Sequence, residues 1–239
     1  MSFNIEETRK LVFQYYTTAK EKSGIISKSF SERAEAISDV IPGYSANKMD
    51  FGDYLKDNFS PLFIDIRDST HRAVNMDPKY TFISMHAFFP GVCNVIEQHG
   101  GYVIDFMGDG VMALFGGKMS KTSNYNSSQQ AGLCGLHLLE VVNSVINPLL
   151  DKDKIWKFSC GVGVDHGPVV VTKIGTDNNF DVKAFGVCIN NANKLSKAFN
   201  KVIVSKGVKN LWPSSEGGKL RFNPFGIGES TGYELLKPV

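Results

Sequence analysis

The sequence predicts an α/β fold of the α+β kind, on three observations. Gly100 to Phe115 reads as two apolar strands, Val103-Ile104 and Val111 to Phe115, joined by a tight Met107-Gly108-Asp109-Gly110 turn. Ser60 to Ile66 is a second apolar strand. It ends in the polar run Arg67-Asp68-Ser69-Thr70 and heads toward a helix. Longer stretches with helical spacing, Pro78 to Gln98 and Ser127 to Leu149, are interleaved with short apolar runs.

Taken in order, residues 4–22 have an apolar stripe at Leu11, Val12, Tyr15 and Tyr16, and Gly24 ends the helix. Ser31 to Ile41 fits a second helix with Ser31 as cap, stopped by Pro42-Gly43. Residues 42–59 read as a polar connection. The expected division is therefore an N-terminal helical extension, 1–59, and a motif-bearing domain, 60–239. Within the domain, Pro90 is expected to kink the 78–98 helix, and His99-Gly100-Gly101 to end it. Lys118 to Asn126 reads as a polar loop. Ser127 and Gln130 have the spacing of a capping box. Phe158 to Val164 is a strand, Asp165-His166-Gly167-Pro168 a turn, Val169 to Val171 a strand, Val187 to Phe199 a helix, and Val202 to Val204 a strand. The tail closes with Leu220-Arg221-Phe222 and Tyr233 to Leu236.

At 239 residues and 42% hydrophobic content, the chain is long enough for one domain with an extension. A net charge of +2 gives no basic field of the kind a nucleic-acid binder carries. The N-terminus lacks an apolar signal core, and no apolar run approaches the roughly 20 residues of a membrane span. Cys93, Cys134, Cys160 and Cys188 are far apart in apolar surroundings and form no CxxC or His/Cys cluster. They read as buried free thiols of a cytoplasmic protein.

The chemistry lies in two aspartates. Asp65 sits inside an apolar run, where a charge is costly without a counter-ion. Asp109 is at a hairpin tip, and Asp-Gly alone would explain it as a turn residue. If the two meet on adjacent strands, they form a hard oxygen site suited to Mg2+ or Mn2+. The backbone N–H groups after Asp65 would then face a phosphate.

Together, Phe63-Ile64-Asp65-Ile66 and Gly108-Asp109-Gly110 resemble the two metal motifs of the class III nucleotidyl cyclase catalytic domain. Val162 to Val169 and Phe185 to Leu195 resemble two further segments of that family, so the resemblance covers residues 60 to about 236 in the right order. It implies a ferredoxin-like palm domain with a mostly antiparallel sheet and two metal ions, Mn2+ or Mg2+, held by Asp65, Asp109 and the Ile66 carbonyl. It places Phe63 and the loop residues Arg67, Asp68, Ser69 and Thr70 against a nucleoside triphosphate. Asn190 would orient the ribose, and Lys194 would stabilise charge on the phosphates. The family usually has Arg where Lys194 stands, and lysine lacks the planar fork. Without the other motifs, Asn190 and Lys194 would read as a solvated helix face. The resemblance also implies a homodimer with composite sites, since the family takes metal ligands and base-binding residues from opposite subunits. Many relatives carry a phosphate-binding lysine on the final hairpin. Gly226 to Gly232 offers none, so Arg67 or Arg72 is the expected substitute.

The resemblance makes Asp105 and Lys183 the base-reading pair. An acceptor beside a donor matches the N3–H and O4 edge of uracil and the N1–H and O6 edge of guanine; pairing between the two side chains is the alternative reading. Adenine and cytosine would leave a buried group unpaired, at about 1–3 kcal/mol. The compact architecture and the Phe63 to Thr70 strand end most resemble the bacterial Pycsar pyrimidine cyclases. UTP and cyclic UMP are thus the expected substrate and product, with a cytidylate or guanylate cyclase as the alternative. That resemblance further implies antiphage defence and a separate cyclic-nucleotide-sensing effector. A catalytically degenerate, nucleotide-binding regulator is the alternative of another class.

Overall fold

The computed structural model describes residues 3–23, 49–117, 124–212, 221–228 and 230–237. The helix expected over Ser31 to Ile41 lies outside them, as does most of the loop expected from Lys118. In chain order the elements are α1 (Ile5–Lys22), β1 (Tyr54–Ile66), α2 (Ser69–Asn75), α3 (Pro78–Gln98), β2 (Tyr102–Met107), β3 (Gly110–Gly116) and α4 (Asn124–Val141). A π-helical turn (Val142–Ile146) leads into α5 (Asn147–Lys152). There follow β4 (Cys160–Val164), β5 (Gly167–Thr176), β6 (Asn179–Phe185), α6 (Val187–Leu195), β7 (Val202–Val204), α7 (Lys206–Asn210), β8 (Arg221–Ile227) and β9 (Ser230–Leu236).

The strands form one sheet in the order β2-β3-β1-β4-β7-β9-β8. Every pairing is antiparallel except β4 with β7. β1 changes partners along its length: Tyr54 to Phe59 pair with β5, and Leu62 to Ile66 pair with β4. Alternation along the strands divides two cores. Leu62, Ile64, Ile66, Val111, Ala113 and Phe115 face the helical layer, where Val92, Val95, Ile96 and Leu138 pack against them. Phe59, Phe63, Met112 and Leu114 face the other way, onto Val169, Val171, Cys188, Ile189 and Ala192. Fully buried side chains such as Phe59, Phe88 and Phe115 each contribute about 1.5–3 kcal/mol relative to exposure.

The mostly antiparallel sheet with flanking helices is the expected α+β fold, and several element bounds differ. β1 begins at Tyr54, inside the expected polar connection. Its first residues carry Lys56 and Asp57 and are exposed, so they lack the apolar signal of a buried strand. β5 and β6 form a long hairpin, of which only Val169 to Val171 was expected, because its outer half is exposed and charged. Ser127 lies inside α4, which begins at Asn124, and not at the helix start the capping-box spacing predicts. Its hydroxyl lies 3.4 Å from that of Ser60, in a buried group with Ser128 and His166. α3 runs through Pro90 as one helix, capped by Asp77. α1 is part of the first core: Val12 and Tyr16 pack onto the α3 side of the sheet. Thr8 donates to Asn94 at 2.7 Å.

One stretch, Asn126–Lys152, is long and apolar enough to cross a membrane by length and composition, contrary to the expectation from runs of apolar residues. Ala131, Cys134, Leu138, Val142, Ile146 and Leu150 face the first core, which accounts for its apolar character. The four cysteines are free, and three of them are buried.

α6 lies against β4 closely enough to require glycine beneath it. A Cβ on Gly161 would collide with the Ser196 and Ala198 carbonyl oxygens, and one on Gly163 with the Ala192 carbonyl. This contact fixes the helix and the turn after it. Gly163→Ala should therefore destabilise the protein by about 2 kcal/mol or more, read by urea unfolding. Unchanged stability would show that the helix can lift at no cost.

Candidate active site

The turn between β2 and β3 is built for a tight reversal. Met107 pairs with Gly110, and Gly108 takes the left-handed φ of 65° that lets the two-residue loop close. Register then brings the two aspartates together. Asp65 of β1 is directly opposite Gly110 of β3, so Asp109, one residue earlier, reaches the same end of the sheet. A Cβ on Gly110 would lie 2.9 Å from the Ile64 carbonyl oxygen and 3.3 Å from Asp65 Oδ1. Glycine at 110 therefore lets the hairpin approach the carboxylate.

Asp65 and Asp109 line a single cleft of ≈ 660 Å3. Its walls are Ile66, the turn residues Arg67 and Asp68, Ser69 to His71, Val74 and Asn75 of α2, and Lys197 from beyond α6. Asp68 turns the chain from β1 into α2 with a left-handed φ of 58°. The side chain of Asp65 is 14% exposed and is met by two cations. Arg67 is in ion-pair contact with Oδ2, and Lys197 Nζ donates to the same oxygen at 2.8 Å. Burial and the Arg67 guanidinium lower the Lys197 pKa from the ordinary lysine value, with Asp109 opposing.

The donor set suits a hard divalent ion. Among the described residues no three carboxylate, imidazole or thiol groups converge on one point. A pair of carboxylates that needs substrate phosphates and water to complete the shell is the usual Mg2+ arrangement. Asp65 and Asp109 could hold such ions, and Ile66 lines the same cleft. The positive charge that Arg67 and Lys197 place on Asp65 shows that this carboxylate attracts cations where it stands.

The other expected residues divide into three groups. Arg67, Asp68, Ser69 and Thr70 line the cleft. Phe63 does not: it is 4% exposed and packs in the second core, because alternation turns it onto that face of the sheet. Asn190 and Lys194 are exposed on α6 and do not line the cleft, and neither do Asp105 and Lys183. Lys183 Nζ donates to Asp105 Oδ2 at 2.8 Å and contacts Asp181 at 2.9 Å, so the pair forms within one chain. Burial opposes the charge on Lys183, yet its hydrogen bonds to Asp105 and Asp181 hold its pKa above the ordinary lysine value. It remains a donor.

Arg72, one of the two expected phosphate ligands, is unavailable. It is 6% exposed, donates to the Trp156 and Lys157 carbonyls at 2.7 and 3.1 Å, and lies over the Phe158 ring at 4.4 Å. Lys197 was not among the residues singled out from sequence. It is a lone lysine beyond a helix end, and its approach to Asp65 spans more than a hundred positions.

This geometry agrees with the comparison to known sequences. Residues 53–220 match the adenylate and guanylate cyclase catalytic domain. The chain belongs to that family. An adenylate cyclase from Anabaena cylindrica is 26% identical over 155 residues, which are 63% of this chain and 30% of that protein. A uridylate cyclase from Rhodovulum sp. (strain MB263) is 27% identical over 141 residues, 56% of each chain. The chain thus spans about a third to about half of the length of these relatives. The crystal structure of the guanylyl cyclase Cya2 superimposes with a TM-score of 0.67 at 20% identity, covering 77% of this chain and 94% of that one. The adenylyl cyclase CyaB from P. aeruginosa gives 0.69 at 17% identity, covering 78% and 97%. Both share the fold.

Asp65→Asn keeps the shape of the side chain and removes its charge. Mn2+ binding to the nucleotide-free protein, followed by electron paramagnetic resonance, should weaken at least about tenfold, since even an outer-shell partner is worth about 10–100-fold. An unchanged affinity would place the ions elsewhere.

Proposed function

We propose that this protein is a nucleotide cyclase that converts UTP to 3′,5′-cyclic UMP and pyrophosphate. The observation that carries the reading is the convergence of Asp65 and Asp109 in one cleft beside the Arg67 to Thr70 loop. Family membership supports the reaction class, and the Rhodovulum relative gives some support to the base. The two carboxylates and the Ile66 carbonyl would hold two divalent ions, Mn2+ or Mg2+. When bound, such ions activate the ribose 3′-hydroxyl for attack on the α-phosphorus and offset the charge on the phosphates. Arg67 and the loop through Thr70 face the triphosphate.

A homodimer completes the site. In one chain Asp105, Lys183, Asn190 and Lys194 do not line the metal cleft, and in this reading a second copy brings them over the nucleotide. Phe185 and Val187, which flank the start of α6, are 52% and 76% exposed and offer apolar surface for that contact. In the composite site Asn190 orients the ribose and Lys194 meets phosphate charge. Asp105 and Lys183 present an acceptor beside a charged donor to the base. That pattern fits the edges of uracil and guanine; adenine and cytosine also set a donor beside an acceptor, so the choice of UTP rests on the Rhodovulum relative and not on this pair alone. Cyclic UMP acting on a separate effector in antiphage defence belongs to this reading, as does a cytoplasmic setting.

The test is incubation with each of the four ribonucleoside triphosphates and Mn2+, with products separated by chromatography and mass spectrometry. Cyclic UMP is expected as the main product. Asp109→Ala should reduce its rate by about two orders of magnitude or more. Cyclic GMP or cyclic AMP as the main product would overturn the assignment of UTP as substrate. Nucleotide binding with no cyclic product from any of the four would favour a regulator over an enzyme.

A further inference from the structure

We propose that Lys197 is a triphosphate-binding residue that rests on Asp65 until divalent ions displace it. The inference deepens the cyclase reading and depends on it for the identity of the anion. Three observations carry it. Lys197 reaches into the metal cleft from the turn after α6 and donates to Asp65 Oδ2 at 2.8 Å, the same oxygen that Arg67 contacts. Its backbone is held: Ser196 and Ala198 on either side press their carbonyls against Gly161, where no Cβ would fit. Its side chain is nevertheless 49% exposed, so the ammonium group can move on a fixed base.

Charge dictates the direction of that movement. Within the cleft, Arg67 and Lys197 both pair with Asp65, and the carboxylates of Asp68 and Asp109 line the same walls. A divalent ion on Asp65 removes the partner of Lys197 and repels its ammonium at short range. The phosphates that accompany the ions bring new negative charge to the cleft, and lysine is suited to follow it: a compact charge on a flexible four-carbon stem. Arg72 cannot take this role, since its guanidinium is spent on the Trp156 and Lys157 carbonyls. Lys197 thus competes with metal in the free protein and binds phosphate in the loaded one.

The exchange makes two predictions of opposite sign for Lys197→Gln. Mn2+ binding to the nucleotide-free protein, measured by electron paramagnetic resonance, should tighten about threefold once the competing charge is gone. Binding of Mn2+-tripolyphosphate, which carries the phosphates and no base, should weaken about tenfold, and Lys197→Arg should restore most of it. Circular dichroism of the variants checks that the fold is kept. Weaker tripolyphosphate binding without tighter Mn2+ binding would overturn the exchange, as would the reverse, and two unchanged affinities would overturn the proposal entirely. A protein that shows both shifts and makes no cyclic nucleotide would fail the cyclase reading alone. A working cyclase that shows neither would fail this one alone.

Discussion

The site depends on the pairing of β1 with β3. Asp65 stands opposite Gly110, and this register places the Asp109 turn beside it. A slip by one residue would reverse the facing of every side chain on the strand. Phe63 would leave the second core, and Ile64 and Ile66 would leave the first. The apolar residues therefore fix the register at the cost of any alternative, and the two carboxylates are brought together by the packing of their neighbours. Neither aspartate has to contribute to stability for the arrangement to persist.

A carboxylate this enclosed needs compensating charge, and two basic side chains supply it. Their origins differ. Arg67 is two residues along from Asp65, just past the strand end, whereas Lys197 arrives on the turn after α6, which is held by its close approach to Gly161 and Gly163. α6 thus links two functions of the chain. Its exposed face carries Asn190 and Lys194, turned away from the cleft, and the turn after it feeds Lys197 into the cleft. In the proposed homodimer a second copy would join the exposed face to another cleft, so one helix would serve two sites.

The parts legible in the sequence were those whose signal is local. The Gly108-Asp109-Gly110 turn and the apolar strand around Asp65 each state their geometry within a few residues, and the resemblance of the two motifs to a family's metal pair supplied the expectation that they meet. The first half of β1 and the outer β5–β6 hairpin were not legible, because Lys56, Asp57, Lys173 and Asp181 break the apolar pattern where the strands leave the core. Phe63 was expected against substrate from the resemblance of the Phe63 to Ile66 motif; strand alternation and the cross-strand pairing with Met112 put it in the second core. Arg72 reads in sequence as one more basic residue of a polar loop, and only the fold shows it buried over Phe158. Lys197 had no local signal. The glycines at 161 and 163, inside an otherwise apolar strand, were the one hint that another segment passes close by.

The most direct test of the account is a crystal structure with Mn2+ and a non-reactive UTP analogue, with the ions located by anomalous scattering. The account predicts Mn2+ peaks within bonding distance of carboxylate oxygens from both Asp65 and Asp109, and phosphate oxygens on the same ions. Ions bound away from either aspartate, or a triphosphate seated outside this cleft, would contradict it.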